Sequence, residues 1–226
     1  MFISVIIPAY NEEKNVEKVL KAVLKADFID ETIVVNDGSS DNTLDILNKF
    51  KDKIKVISYE KNRGKGYALK QGILASKNDT LVFLDADLIG LDSNNIRKLV
   101  SPVLENKADM VVGILDKKIK KATNLASNFT KNLSGQRALR RKLLCNALDK
   151  FDDARFGVEI LITEHMKETR ARVKRIELKG VSQVVKEKKS KNVAEGFKAR
   201  MKMYKDIIKT YSREKAKKLD KKLRKV

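Results

Sequence analysis

Thr80-Leu81-Val82-Phe83-Leu84-Asp85-Ala86-Asp87 is an apolar run, rich in strand-forming residues, that ends abruptly in two carboxylates one residue apart. A buried strand has no means of holding two unpaired anions, so the pair belongs at its C-terminal edge. If the backbone is still extended there, Asp85 and Asp87 point to one side, because side chains alternate along a strand. Two hard oxygen donors beside a crevice suit Mg²⁺ or Mn²⁺, which takes few carboxylates and completes its shell with water and phosphate oxygens. Asp is also common at an ordinary polar strand exit, so the pair gains meaning only from its surroundings.

Those surroundings repeat a pattern. Upstream, Phe2–Ile7 reads as a compact strand that stops at Pro8, followed by Tyr10-Asn11-Glu12-Glu13 and a helix carrying Val16, Val19, Leu20, Val23 and Leu24. Thr32–Val35 is a second strand, closing in the turn signal Asn36-Asp37-Gly38-Ser39-Ser40-Asp41 before a short helix. Ile54–Ile57 is a third, followed by Asn62-Arg63-Gly64-Lys65-Gly66 and another helix. After the quoted strand, Asp92-Ser93 caps a helix reaching Leu104, and Asp109–Leu115 forms a fifth strand. Alternating strands and helices with short links predict an α/β fold with a mostly parallel sheet covered on both faces. Ligands of such sheets bind beyond the carboxyl ends of the strands. Pro8–Glu12, Asp37–Asp41 and Asp85–Asp87 all fall at that rim.

Beyond residue 116 the alternation breaks. Lys117–Lys131 is basic and polar and reads as a mobile loop. Ser134–Arg141 leads into an expected helix, and Asp152-Asp153 precedes Phe156-Gly157-Val158-Glu159 and a second, buried helix. Arg172–Leu178 is a late strand. From Val193, the residues Phe197, Met201, Tyr204, Ile208 and Tyr211 step by three or four, forming one apolar stripe on an otherwise basic helix. The expected organisation is a domain over 1–190, in two halves that meet at 115/116, with a basic amphipathic tail over 191–226.

Composition narrows the classes. With 226 residues and 42% hydrophobic content, the chain can bury one sizeable core. No run approaches ~18 consecutive apolar residues, and the apolar start lacks the basic flank of a signal peptide. The single cysteine, Cys145, excludes an internal disulfide framework and points to the cytoplasm; it reads as a buried structural thiol. The single histidine, His165, leaves no zinc cluster and no His-based triad. Of the formal charge of +20, residues 186–226 contribute 17 Lys/Arg less 5 Asp/Glu, or +12. Such a tail suits an anionic membrane, nucleic acid or an acidic partner, and does not choose between them.

Taken together, Val5-Ile6-Ile7-Pro8-Ala9-Tyr10-Asn11-Glu12-Glu13, Val34-Val35-Asn36-Asp37-Gly38-Ser39, Asn62-Arg63-Gly64-Lys65-Gly66 and Phe83-Leu84-Asp85-Ala86-Asp87 resemble the family-2 glycosyltransferases of GT-A fold. The resemblance spans the first half of the chain. It implies a nucleotide-diphosphate-sugar donor, UDP- or GDP-linked. Pro8, Ala9, Tyr10 and Glu12 would line the nucleoside pocket, with Asp37 bonding the base and Lys65 approaching the diphosphate. Asp85, Ala86 and Asp87 would form the D-x-D motif, Asp87 binding Mg²⁺ or Mn²⁺ directly and Asp85 the ribose or a metal-bound water. A divalent ion and a lysine would stabilise the charge that develops on the leaving diphosphate.

For the acceptor, Ser134-Gly135-Gln136-Arg137 resembles the family's acceptor-side loop and Gly157-Val158-Glu159 its acidic position. If the acceptor is a hydroxyl, a base is needed, with Glu159 first and Asp152 and Asp153 behind it. If it is a phosphate, no base is needed, and Gln136, Arg137, Arg140 and Arg141 are the expected anchors. Where relatives often carry a histidine near the metal, this chain has Gln183, a poorer ligand for a transition metal. The tail fits a peripheral enzyme at the inner face of a membrane with a lipid-phosphate acceptor; a small soluble acceptor such as a phosphoglycerate is the alternative. A nucleic-acid-binding protein would explain the charge but not the acidic rim, and a nucleotidyltransferase would need a Gly-rich loop where Pro8-Ala9-Tyr10-Asn11 stands. Oligomeric state is not readable from these residues.

Overall fold

The computed structural model describes residues 2–116, 134–154 and 157–184 and, near the C-terminus, 206, 208–210, 212, 213 and 216. The expectations for 117–131 and for most of 191–226 lie outside them. In chain order the elements are β1 (Ile3–Ala9), α1 (Val16–Leu24), β2 (Glu31–Asp37), α2 (Thr43–Asn48), β3 (Lys55–Tyr59), α3 (Lys65–Ala75), β4 (Thr80–Phe83), β5 (Leu88–Ile89), α4 (Ser93–Leu104), β6 (Met110–Leu115), β7 (Arg137–Arg140), α5 (Val158–Glu168), β8 (Val173–Leu178) and β9 (Ser182–Gln183). Short 3₁₀ turns at Arg141–Leu144 and Leu148–Phe151 lead from β7 towards α5.

Seven strands form one sheet in the order β3-β2-β1-β4-β7-β6-β8. The pairs β1–β2, β1–β4, β2–β3 and β6–β8 are parallel, and β7 runs antiparallel to both its neighbours. Alternation along each strand sorts the core into two layers. Val5 and Ile7 of β1 and Val82 of β4 join Val19, Leu20 and Val23 of α1 and Ile96 and Leu99 of α4. Ile6, Leu81 and Phe83 face the other way, with Leu69 and Ile73 of α3 and Leu161 and Ile162 of α5.

Two expectations are corrected. β1 does not stop at Pro8: Pro8 pairs with Val35 and Ala9 with Asn36. The ladder to β4 ends at Ile6–Phe83, so at the level of Pro8 one side of β1 has no strand that needs an N–H from it. Past Ser134 the chain forms a strand that the sequence did not announce, and two short 3₁₀ turns stand where the helix after it was expected. Arg137-Ala138-Leu139-Arg140 has no β-branched residue, and its local preference is helical. The slot between β4 and β6 overrides that preference by supplying backbone partners on both edges.

The layer that carries Lys65 is packed tightly. A Cβ placed on Gly72 of α3 would stand 2.3 Å from Ile6 Cγ2 on β1. Alanine in place of a helical glycine normally gains about 1 kcal/mol. Overpacking against a β-branched strand residue costs about 1–3 kcal/mol, and here it wins. Gly72→Ala is therefore expected to lower the thermal melting temperature followed by circular dichroism; a melting temperature at or above that of the native chain would mean that α3 does not sit this close.

Candidate active site

The parallel strands β1, β2, β3 and β4 end at a common rim, and the polar clusters gather there. On the β1–β2 side the two loops are stitched together. Asn11 takes a left-handed conformation (φ 54°), and its side-chain oxygen accepts from Ser40 N at 2.8 Å. Glu12 N donates to Thr43 Oγ1 at 2.8 Å. This leaves Tyr10 46% exposed over the rim, with Pro8 and Glu12 half-buried and Ala9 buried.

Asp37, placed by the resemblance on the base, is 3% exposed and accepts from Arg63 N at 2.7 Å, Gly64 N at 2.8 Å and Asn62 Nδ2 at 3.0 Å. It thus shapes the Asn62-Arg63-Gly64 loop that delivers Lys65 to the first turn of α3. Gly38 permits this approach: its φ is +66°, and a Cβ there would lie 2.6 Å from Asn62 N. Arg63 stacks its guanidinium 3.7 Å above the Tyr67 ring, which meets Tyr59 edge-on. No sequence motif announced this aromatic stack.

The charged centre lies beside β4. Leu84 N still bonds Ile6 O, after which the chain leaves the sheet and presents Asp85 and Asp87. Lys65 Nζ sits between two carboxylates, 2.5 Å from Asp85 Oδ1 and 2.6 Å from Glu159 Oε1. Burial works to lower the Lys65 pKa, but Asp85 and then Glu159 outweigh it and hold the ammonium above its ordinary range. The other Asp85 oxygen accepts from Gln136 Nε2 at 2.8 Å and from Gln183 Nε2 at 3.3 Å, and Gln183 Nε2 also reaches Asp87 Oδ1 at 2.9 Å. Ala86, between the two aspartates, is buried in the core. Gly135 is pressed onto this cluster: a Cβ would fall 2.5 Å from Asp85 Oδ1 and 2.6 Å from Lys65 Nζ. That need for a glycine is set by β7 pairing with β4, which sequence spacing did not reveal.

The expected acceptor anchors separate. Gln136 is at the centre, 1% exposed and bonded to Asp85. Arg137 is not solvent-facing: it is 1% exposed, and its guanidinium donates to Ser134 O, Thr163 Oγ1 and Glu159 O, each at 3.0 Å. Its position on β7, two residues from core Leu139, turns it onto the α5 face, where it braces strand to helix. Burial pushes the guanidinium down to about 10, which leaves it charged at neutral pH. Arg140 pairs with Thr80, three residues further from the rim, and donates to Val103 O and Asn106 Oδ1; Arg141 donates to Ser76 O at that same far end. Neither reaches the centre. Asp152 is bonded to Lys70 at 2.7 Å and Asp153 lies 3.6 Å from Arg213, so neither joins Glu159. His165 bonds Leu143 O. Cys145 is exposed where a buried thiol was expected, because the 3₁₀ turn faces Leu144 inward and the next residue outward.

A divalent ion fits this donor set. Asp85 Oδ2 and Asp87 Oδ1 both accept from one nitrogen, so the two oxygens converge on a single point. Gln183, whose amide also has an oxygen, stands beside them. Among the described residues no group of three or more His, Cys, Asp or Glu side chains is placed to hold a metal. Two carboxylates completed by water and phosphate oxygens is the pattern that Mg²⁺ uses with phosphate substrates.

Because the Lys65 pKa is raised above 10.5, its stabilisation is complete below that pH and is lost as the pH rises through the raised value. Lys65→Met leaves Asp85 and Glu159 without their shared cation and is expected to cost about 3–5 kcal/mol at pH 7. In urea titrations the gap to the native chain should close only above pH 10.5. Equal stability of the two chains at pH 7 would mean that the two ion pairs contribute nothing net.

Residues 4–159 match the family described as Glycosyl transferase family 2. An uncharacterised protein of Methanocaldococcus jannaschii is 33% identical over 171 residues, 72% of each chain. Human dolichyl-phosphate beta-glucosyltransferase is 39% identical over 99 residues, covering 38% of this chain and 31% of that one. The chain thus spans about a third of that relative's length. Glucosyl-3-phosphoglycerate synthase from Mycobacterium tuberculosis, solved with Mn²⁺, UDP and glucosyl-3-phosphoglycerate, superposes with a TM-score of 0.72 at 24% identity, covering 94% of this chain and 79% of that one. The sheet is therefore that of the GT-A fold, and with a match over more than half its length the chain belongs to glycosyl transferase family 2.

Proposed function

We propose that the chain is a metal-dependent, inverting glycosyltransferase that moves a sugar from a UDP- or GDP-linked donor to a phosphate-bearing acceptor, with a polyprenyl phosphate or similar lipid-linked acceptor as the leading choice. The observation that carries the reading is the Lys65–Asp85–Glu159 contact beside the converging oxygens of Asp85 and Asp87. Counting Asp85, Asp87 and Glu159 against Lys65 and Arg137, the centre holds three negative and two positive side chains. A further cation is electrostatically welcome there, and it would bring a nucleotide diphosphate with it.

In this reading Asp87 and Asp85 hold the Mg²⁺ or Mn²⁺, which when bound neutralises charge on the leaving diphosphate. Pro8, Ala9, Tyr10 and Glu12 line the nucleoside pocket, and Asp37 acts there through the loop that it shapes. Lys65 keeps Asp85 in place and adds positive charge near the diphosphate. Glu159 shares the Lys65 ammonium with Asp85, through its Oε1. A hydroxyl acceptor would need this oxygen as its base, and the Lys65 ammonium already occupies it at 2.6 Å. A phosphate oxygen arrives already ionised and needs no base. That favours the acceptor class named in the human dolichyl-phosphate relative. Transfer to a small soluble phosphate is the second reading, favoured by the superposition on a synthase solved with a phosphoglycerate product.

The test is a thermal-shift panel of UDP-, GDP-, ADP- and dTDP-sugars with and without Mn²⁺. One donor should raise the melting temperature by about 5 °C or more at saturating concentration, only with metal. Asp87→Ala should abolish the shift while its own unliganded melting temperature stays near the native value. Release of nucleoside diphosphate on adding a polyprenyl phosphate, and not on adding 3-phosphoglycerate, identifies the acceptor; the reverse pattern selects the soluble reading. No shift with any donor removes the transferase assignment of this centre.

A further inference from the structure

The C-terminal helical residues have two unlike faces. Asp206 and Thr210 lie one turn apart, with Thr210 Oγ1 bonded to Asp206 O at 2.9 Å. Thr210 is seated on Gly157: a Cβ there would fall 2.1 Å from Thr210 Oγ1 and 2.5 Å from Thr210 Cβ. Arg213, three residues on, reaches Asp153 Oδ2 at 3.6 Å. Among the described residues, those of the helix that meet the domain are Asp206, Thr210 and Arg213, and Thr210 meets the segment that opens α5 two residues before Glu159.

The apolar stripe read from the sequence does not face the domain where the structure describes it. Ile208, two residues from both Asp206 and Thr210 and so about 200° around the helix from each, is 59% exposed. Lys209 and Ser212 are exposed as well. A large exposed apolar side chain amid a segment of net charge +12 calls for a partner that is both anionic and apolar beneath its surface. Nucleic acid supplies the first property and not a place to bury isoleucine. An anionic bilayer supplies both.

We propose that the Ile208 and Lys209 face of the C-terminal helix docks on an anionic lipid bilayer, while its Thr210 face, seated on Gly157, holds the acceptor side of the site at that surface. The proposal deepens the lipid-acceptor reading and rests on it for its meaning, but its test requires no catalysis. The full chain is sedimented with vesicles of phosphatidylcholine alone or of phosphatidylcholine with phosphatidylglycerol. Binding is expected to the anionic vesicles only and to fall as salt is raised. Ile208→Glu should weaken it about tenfold, and Ile208→Trp should strengthen it. Both variants should keep the native melting temperature and any donor-induced shift, since Ile208 is exposed. Equal partition of the native chain and Ile208→Glu overturns the proposal, because charge alone would then account for binding. Displacement from the vesicles by single-stranded RNA at equal phosphate concentration overturns it in favour of a nucleic-acid partner. A donor-dependent shift without vesicle binding leaves the transferase reading intact and removes only this surface.

Discussion

Lys65 is buried between Asp85 and Glu159, and much of the chain beyond β6 is arranged to keep it there. Left alone, a buried ammonium would lose its charge, and two buried carboxylates would resist sharing a pocket. Together they form a short bridge across the sheet's rim, from α3 through the end of β4 to α5. Each partner is fixed independently. Asp37 shapes the loop that starts α3, Gln136 and Gln183 hold the far side of Asp85, and Arg137 caps the backbone of Glu159 from below. The geometry of the centre is therefore over-determined, a usual property of sites that must not rearrange during reaction.

The same bridge explains why β7 runs against the other strands. A parallel strand in the slot beside β4 would enter from the opposite end and offer the rim a different set of residues. Entering antiparallel, the chain passes Gly135 over the ion pair, sets Gln136 beside Asp85, and turns Arg137 under α5. One reversed strand thus supplies a close backbone approach, an amide and a buried cation from three consecutive residues. Arg140, on the same strand, is carried to the other end of the sheet by the same extended geometry.

Gln183 gives the centre a different balance from one built with an imidazole. Its amide reaches both aspartates from β9, which is held to β5 only by a two-residue pairing. An uncharged amide donor keeps the two carboxylate oxygens aligned without competing strongly with a divalent ion for them. The β1–β2 side of the rim is built on another principle: backbone amides of one loop bonded to side chains of the next, with Tyr10 left exposed above.

The sequence by itself determined the parallel half of the sheet, because each strand there is an apolar run and each helix an apolar period, both local signals. It also determined the three polar clusters at the strand ends, since a polar residue after a buried run has to sit at an edge. Strand ends were misplaced by one or two residues wherever a neighbour, and not the residue itself, decided the matter, as at Pro8. What only the tertiary structure decided was long-range. Arg137 and Arg140 look alike along the chain, yet one is buried at the site and the other bound at the opposite end. Glu159, read along the chain as a candidate base, is bound to a lysine 94 residues away. Gly135 gave no signal at all, because the atoms that forbid a side chain there belong to Asp85 and Lys65. Periodicity records which face of an element is buried; which charges meet across the rim depends on strand order and direction, and no local pattern encodes those.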